Sequence, residues 1–335
     1  MYIGKSYKLL EFVVWTRKSI YLLLIINIIP VVLYEIVGLK WIAISWTIVS
    51  LLGTAAAFIV GFKNTQTYNR TLEAQQIWIS ILNASRSWGG TCKDFIEDKE
   101  ILNILIYRHL AWLTALRYEM REFQIWESSN KRHNKEYQRF YTIPEREIPL
   151  EKELSKYLND EELQYIMSVQ SKPAQIMSLQ GDTISKLYKT QQIAILQFVD
   201  MERSMKEFFV LQGKSEQIKN FPYPRQYAII NSLLVNFFCI LLPFGMLKEF
   251  DKLNENIDGI MKGNMVWLLI PFSILIAWIY KALGQVGEST ENPFEGNAND
   301  VPISHISRII EIDLREMIGE KNLPPMLKPQ HDIIS

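Results

Sequence analysis

The sequence predicts an all-α membrane protein in which four transmembrane helices are combined with a helical cytoplasmic body. Three observations support this prediction. Hydrophobic residues make up 48% of the 335 residues, but they are concentrated in two blocks, roughly 20–62 and 227–280. Each block contains two runs that are long and apolar enough to cross the ~30 Å hydrocarbon core of a bilayer as helices. The remaining sequence is polar, with apolar residues at helical spacings and without the alternation typical of strands.

The four hydrophobic runs are the strongest elements of this prediction. The second and third contain no charged residue, and the first contains only Glu35, near its end, where a solvated interfacial role is expected. Buried helices of a soluble protein would explain one such run but not four. The first run is too long and begins too late for a cleaved signal peptide. The runs are Ser19–Val37, Trp41–Phe62, Tyr227–Leu247 and Met265–Tyr280.

The basic residues predict the orientation of the spans. The short loop between the first two runs offers only Lys40, whereas several basic residues precede the first run and others follow the second. The positive-inside rule then places both termini in the cytoplasm, as expected for a multi-pass protein of a cell inner membrane. The predicted segments are 1–62 with spans one and two, 63–225 as a cytoplasmic helical domain, 226–285 with spans three and four, and 286–335 as a cytoplasmic loop, helix and tail.

The polar segments predict further helices. Gly89-Gly90 is expected to interrupt the first of them, Ser304 is expected to cap the last, and segment 124–148 is expected to be mostly loop. The predicted helices cover 73–97, 99–123, 150–170, 174–212 and a final stretch from Ser304 to near Gly319.

Composition and motifs argue against several classes of function. Lys+Arg and Asp+Glu both total 36, so the cationic excess of a nucleic-acid-binding surface is missing. There is no phosphate-binding loop, no GxGxxG and no GxSxG. We therefore predict no catalytic residues, no cofactor and no metal site, and His109 is assigned to helix packing. The histidines show no ligand spacing; they are His109, His133, His305 and His331.

The end of the second run carries the most informative pattern. It combines small residues, which let membrane helices approach closely, with two phenylalanines. Thr54, Phe58 and Phe62 stand at positions i, i+4 and i+8, which form one narrow stripe of a helix. In a ring of identical helices this stripe would form a hydrophobic constriction that gates by dewetting. Alternatively, the aromatic rings pack against spans three and four of the same subunit.

Two stretches of the sequence resemble bacterial bestrophins. The first is GFKNTQTYNRTLEAQQIWISILNASRSW, residues Gly61–Trp88, and the second is GESTENPFEGNANDVPISHISRIIEIDLREMIGE, residues Gly287–Glu320. In the second stretch, the Asn-Pro-Phe at 292–294 followed by Asn-Asp-Val-Pro at 299–302 is the most specific part. Bestrophins are homopentameric ion channels with one central pore. The resemblance therefore implies that the chain assembles with itself in the lipid bilayer and conducts ions.

The resemblance also implies roles for individual residues. Thr54, Phe58 and Phe62 correspond to the pore neck, although Thr54 stands where the family usually has a bulky apolar residue. A second constriction at the cytoplasmic exit would fall on Ile176, shortly after Pro173, and ordinary helix packing remains the alternative there. Animal members bind calcium through a run of acids after Asn-Pro-Phe. Here that stretch has only Glu295 and Asp300, so we predict a structural loop without calcium control.

The choice of ion remains open between alternatives. Likeness to bacterial bestrophins implies conduction of monovalent cations such as Na⁺, and the alternative is a chloride or anion channel of the same architecture. A non-conducting membrane scaffold is the alternative from a different class. A carrier would be expected to show internal repeats, and the sequence shows none.

Overall fold

The computed structural model describes residues 1–5, 7–128, 134–135, 138–256, 258–259 and 261–335. These residues form α-helices and short 3₁₀ turns, and their only β pairing consists of isolated bridges that Ile333 makes to Tyr2 and Gln330. The all-α prediction is confirmed. The helices are α1 Leu9–Glu35, α2 Trp46–Phe95, α3 Lys99–Arg121, α4 Pro144–Glu147, α5 Leu150–Leu154, α6 Asp160–Ser168, α7 Lys172–Lys189, α8 Ile195–Asn220, α9 Arg225–Lys252, α10 Leu269–Ser289 and α11 Ile303–Met317.

The chain divides into two compact units. The membrane unit consists of residues 5–69 and 223–291. The second unit, called the helical body below, consists of residues 1–4, 70–222 and 292–335. The sequence groups residues 1–4 with spans one and two in the segment 1–62. In the structure they belong to the helical body, because Tyr2 pairs with Ile333 and the Ile3 amide donates to the Asp332 carbonyl at 2.8 Å.

Four helices of the described chain are long and apolar enough to cross a membrane, as predicted. Their ranges are Leu9–Glu35, Lys40–Phe95, Arg225–Glu255 and Met265–Ser289. Small residues let the part of α2 that belongs to the membrane unit approach α9 closely. A Cβ atom on Gly53 would meet the Phe238 ring at 2.6 Å, and one on Gly245 would meet Val49 at 2.7 Å. Close packing of this kind holds membrane helices together where the hydrophobic drive between them is absent.

The loop between the first two spans is a compact charged turn. Glu35, at the end of α1, forms an ion pair of 3.0 Å with Lys40, and the Lys40 ammonium lies 3.7 Å from the centre of the Tyr34 ring. The Glu35 side chain is 19% exposed, so it lies at the border of its unit rather than in the interior. This position agrees with the interfacial role expected for Glu35.

The core of the helical body is built around large aromatic residues. Trp88, Trp112 and Phe208 are fully buried and surround His109, whose ring centroid lies 4.6 Å from that of Phe208. The His109 ring nitrogen Nε2 is 2.9 Å from the Ser85 hydroxyl, and burial lowers the pKa of His109 to about 3. A neutral, enclosed histidine of this kind is a packing residue, as predicted. His133 lies outside the described residues.

Three predicted helix boundaries are wrong. Helix α2 continues through Gly89-Gly90, and the lack of a side chain at Gly89 makes room for Leu314 and for the Met317 sulfur, which would lie 2.8 Å from a Cβ atom. The predicted helix 174–212 is two helices, α7 and α8, separated at Gln191, which has a positive φ of 57°. The predicted helix 150–170 is likewise divided into α5 and α6.

The start of the last helix also differs from the prediction. Helix α11 begins at Ile303, so Ser304 lies inside it rather than at its N-cap. The Ser304 hydroxyl donates instead to the Glu145 carboxylate at 2.6 Å. Its polar group is used in a tertiary contact of the helical body, which the local sequence could not reveal.

Candidate pore-lining site

The membrane part of α2 has two distinct faces. One face is buried against the other helices of the membrane unit and contains Val49, Ala56 and Val60, which are between 0% and 2% exposed. The opposite face carries the predicted stripe. Phe58 is 76% exposed and Phe62 is 50% exposed, and Thr54 is also exposed. The two aromatic rings therefore do not pack against spans three and four of their own chain to any large extent.

The exposed face of α2 has an unusual composition for a lipid-facing surface. Between Tyr21 and Ile29, every exposed residue of α1 is bulky and apolar, as expected where a helix meets acyl chains. On α2, the exposed residues between positions 54 and 62 are a mixture of small residues, one threonine and two phenylalanines. Small residues are typical of surfaces where membrane helices contact one another. The exposed face of α2 is therefore suited to contact with further copies of the chain.

Ile176 lies in a different environment from the stripe. Its side chain has 0% exposure and belongs to the central apolar cluster of the helical body. A side chain that is completely enclosed by its own subunit has no surface to offer to a permeating ion. The burial of Ile176 therefore favours the packing role that was its alternative and argues against a second constriction at this residue.

A buried ion pair lies directly after the stripe, and sequence reasoning missed it. Lys63, the residue after Phe62, is 6% exposed, and its ammonium lies 3.4 Å from the carboxylate of Glu291, which is 3% exposed. The same carboxylate is 3.4 Å from the Arg225 guanidinium. The sequence places Lys63 at the polar end of the second run, where a solvated lysine without a buried partner is expected. Glu291 could not be identified as its partner from spacing along the chain.

The Asn-Pro-Phe loop, residues 292–301, is held inside the helical body by its own acids. The Glu295 carboxylate accepts hydrogen bonds from the Ser128 amide at 2.9 Å, from Asn292 at 2.5 Å and from Asn297 at 2.8 Å. The Asp300 carboxylate accepts from the Gly296 and Asn297 amides at 2.7 and 2.9 Å. The acids of the loop thus stabilise its own turn.

Neighbouring helices of the body fix the outer side of the same loop. The Arg121 guanidinium donates to the Phe294 carbonyl at 3.0 Å, Arg146 donates to the Glu295 carbonyl at 2.8 Å, and the Tyr141 hydroxyl donates to the Gly296 carbonyl at 2.8 Å. These contacts describe a structural element rather than an open binding loop. Among the residues that the structure describes, no group of three or more histidine, cysteine or acidic side chains is arranged to hold a metal ion.

Burial raises the pKa of both acids of the loop. It raises the pKa of Asp300 to about 7, and the nearby Glu295 carboxylate adds to this effect while Arg121 opposes it. Burial also raises the pKa of Glu295, against the hydrogen bonds from Ser128 and Asn292. Both carboxylates already accept hydrogen bonds from the loop, whereas a hard divalent cation takes six or more oxygen ligands, several of them charged.

The fold and these sites define a helical membrane protein with four spans, one of which presents an apolar stripe on an exposed face. Comparison with known proteins identifies its family. The chain belongs to the bacterial and fungal bestrophins: the model of that family, described as "Bacterial/Fungal Bestrophin protein", matches residues 14–316. This confirms the resemblance that the two sequence stretches indicated.

Related proteins and structures agree with this assignment. The chain is 26% identical over 304 residues to the voltage-dependent anion channel-forming protein YneE of Salmonella typhi, covering 91% of this chain and 86% of that protein. It is 25% identical over 285 residues to the voltage-dependent anion channel-forming protein RSc3414 of Ralstonia nicotianae, covering 84% and 79%.

A solved structure shows the same fold. The crystal structure of a bacterial bestrophin homologue from Klebsiella pneumoniae superimposes with a TM-score of 0.74 at 21% identity, covering 90% of this chain and 98% of that one. The family and the names of the relatives support an ion channel.

Proposed function

We propose that this protein is an anion channel whose pore is lined by α2, with Thr54, Phe58 and Phe62 as a hydrophobic neck. The observation that carries the proposal is the exposed aromatic stripe on a helix whose opposite face is buried in its own subunit. Rings of apolar side chains at a constriction gate a pore by expelling water from it. A stripe of this kind has a purpose in a channel and none in a scaffold.

The proposal of an anion channel replaces the expectation from sequence that the protein conducts monovalent cations such as Na⁺. The related proteins of Salmonella typhi and Ralstonia nicotianae are named as anion channel-forming, which does not support selectivity for Na⁺. The chemistry of α2 is compatible with this change. Between Trp46 and Asn69, its only charged residue is Lys63, so no acidic ring is available to select cations. The positive edges of exposed phenylalanine rings offer a weak attraction to anions.

The assembly that we propose is a homopentamer with one central pore. The exposed small residues of α2 provide the surfaces along which neighbouring copies approach one another. The bulky exposed face of α1 would then contact lipid. The proposed location is a cell inner membrane, and the distribution of basic residues supports an orientation with both termini in the cytoplasm.

The test is a measurement of current through the purified full-length protein in a planar bilayer under a gradient of NaCl. A reversal potential near the equilibrium value of Cl⁻ is the expected result. A value near that of Na⁺ would restore the cation channel, and the absence of any current from intact, assembled protein would favour the scaffold. A bilayer without protein under the same NaCl gradient provides the control for leak through the lipid.

A further inference from the structure

Three polar contacts next to the neck bind α2 to the end of α10. The first is the ion pair between Lys63 and Glu291 described above. The Asn64 side chain donates to the Leu283 carbonyl at 3.2 Å. One turn further along α2, the hydroxyl groups of Thr67 and Thr290 lie 3.2 Å apart. These contacts hold the segment of α2 that follows Phe62 in one orientation, so the Lys63 charge has a fixed place beside the neck.

The ion pair is enclosed on all sides. Counted for the side chain alone rather than the whole residue, Lys63 is 7% and Glu291 5% exposed, and the centre of the Tyr223 ring lies 6.0 Å from the Lys63 ammonium. Consecutive Cα atoms are about 3.8 Å apart, so Lys63 is as close to the neck along the backbone as a residue can be. Its side chain belongs to the buried face of α2, whereas Phe62 belongs to the exposed face. Lys63 therefore lies next to the neck along the chain, while its side chain stays off the exposed stripe.

Charges in this position act over a longer range than surface charges. Water and salt screen exposed charges within a Debye length, but they screen buried charges much less. An ion in a dewetted neck lies in a medium of low dielectric constant, where Coulomb interactions are strengthened. In a ring of subunits the same charge is repeated in every copy.

We infer that Lys63 determines the ion preference of the neck through its charge, and that Glu291 tunes this preference by compensating that charge. The inference rests on the proposed channel function and deepens it. Lys63 favours anions in the neck, and the Glu291 carboxylate weakens this effect without abolishing it. The pair thus sets how strongly the channel discriminates between anions and cations.

Two neutral substitutions separate this role from a purely structural one. The Lys63→Met variant removes the positive charge and leaves Glu291 with Arg225 as a partner, whereas Glu291→Gln removes the compensating negative charge. Both variants break the same ion pair. A structural role predicts effects of the same direction for both variants. The electrostatic role predicts effects of opposite direction.

The experiment measures the permeability ratio of Cl⁻ to Na⁺ from reversal potentials of the full-length protein in planar bilayers. Lys63→Met is expected to lower the ratio and Glu291→Gln to raise it, each by about twofold to tenfold for a charge at this range. The double variant Lys63→Met/Glu291→Gln is expected to lie between the two single variants. Lys63→Arg, which keeps the charge, is expected to leave the ratio unchanged.

A matched control is available on the same helix. Arg86 of α2 forms an ion pair of 2.7 Å with Asp313, but its side chain is 46% exposed. Arg86→Met is expected to leave the ratio unchanged. If both neutral variants shift the ratio in the same direction, or neither shifts it, the inference is wrong. Should Glu291→Gln fail to assemble, equal ratios for Lys63→Met and Lys63→Arg would overturn it.

The test distinguishes failure of the inference from failure of the proposed function. A wild-type protein that conducts no ions contradicts the proposed function itself. A wild-type protein that conducts, with variants that do not follow the predicted signs, contradicts only the role of the ion pair.

Discussion

Gly53 of α2 lies directly against the ring of Phe238 of α9, where a Cβ atom on the glycine would come within 2.6 Å of a ring carbon. The carbonyl of the same glycine accepts a hydrogen bond of 3.1 Å from the Tyr280 hydroxyl of α10. The rings of Tyr280 and Phe238 are themselves in contact, with centroids 4.6 Å apart. Three of the four spans therefore meet at a residue without a side chain.

Replacement of this glycine tests the close approach. Gly53→Ala is expected to destabilise the protein by about 1–3 kcal/mol, because the new methyl group forces the Phe238 ring out of its position. The measurement is thermal unfolding of the purified protein in detergent. Gly90→Ala, in the same helix but with no atom within 4 Å of the new Cβ, is the control, and its stability should be unchanged or slightly higher. Equal melting temperatures for both variants would show that the contact at Gly53 does not matter.

The aromatic stripe predicts an effect on conductance. Phe58→Ala and Phe62→Ala each remove an apolar ring from the proposed constriction, which should lower the barrier to wetting and increase the single-channel current several-fold. Phe237→Ala is the control, because Phe237 is 54% exposed on α9, away from the stripe. An increase for Phe237→Ala of the same size, or no increase for either neck variant, would speak against α2 as the pore-lining helix.

We expect that the Asn-Pro-Phe loop does not bind calcium. Its two acids accept hydrogen bonds from the loop and from Ser128, so a calcium ion would have to displace several of them. Titration calorimetry of the purified protein with CaCl₂ should therefore show no binding in the micromolar range. Micromolar binding that is lost in Glu295→Gln would overturn this prediction.

Because of the buried Asp300 carboxyl group, we expect the free energy of unfolding of the protein to depend on pH. The pKa of this group is raised from 3.8 to about 7 by burial, so the folded state holds this proton more tightly than the unfolded state. The stability that it contributes is therefore present below the unfolded pKa and is lost as the pH rises through 7.

Asp300→Asn removes this titration while keeping an oxygen that accepts from the loop amides. The variant should gain stability relative to the wild type between about pH 5 and pH 7, by at most about 1.4 kcal/mol for each pH unit. Denaturant unfolding at both pH values measures the difference. Asp182→Asn, at an exposed position of α7, should show no such change, and a constant difference for Asp300→Asn would refute the assigned protonation.

Much of the architecture follows from the sequence, for physical reasons that are local. A membrane span can be identified from sequence because a helix that crosses the bilayer needs about 20 consecutive apolar residues, as in the run Trp41–Phe62. The stripe of Thr54, Phe58 and Phe62 is recognised because helical spacing alone places the three residues on one face. The exposure of Phe58 and Phe62 could not be predicted from that spacing, since it depends on which face the other spans cover.

The missed features depend on contacts between distant parts of the chain. From sequence, Gly89 is expected to interrupt a helix, but in the structure Leu314 packs against it. Ser304 is expected to be a helix cap, but its hydroxyl donates to Glu145. For Ile176 the sequence left a constriction and helix packing as alternatives, and its complete enclosure by surrounding helices supports packing. In each case the tertiary partner decides the role, and nothing near the residue in sequence identifies that partner.

The pairing of Lys63 with Glu291 also constrains the order of events during biosynthesis. Lys63 leaves the ribosome at the end of the second hydrophobic run, whereas Glu291 is made only after all four membrane helices. Until then the lysine has no buried carboxylate and keeps its ammonium group hydrated by extending toward the bilayer surface. The contact that ties this part of α2 to the end of α10 can therefore form only after the last span has been synthesised. The same contact joins the ends of the second and fourth spans, so it can form only in a membrane unit whose four spans have all been made.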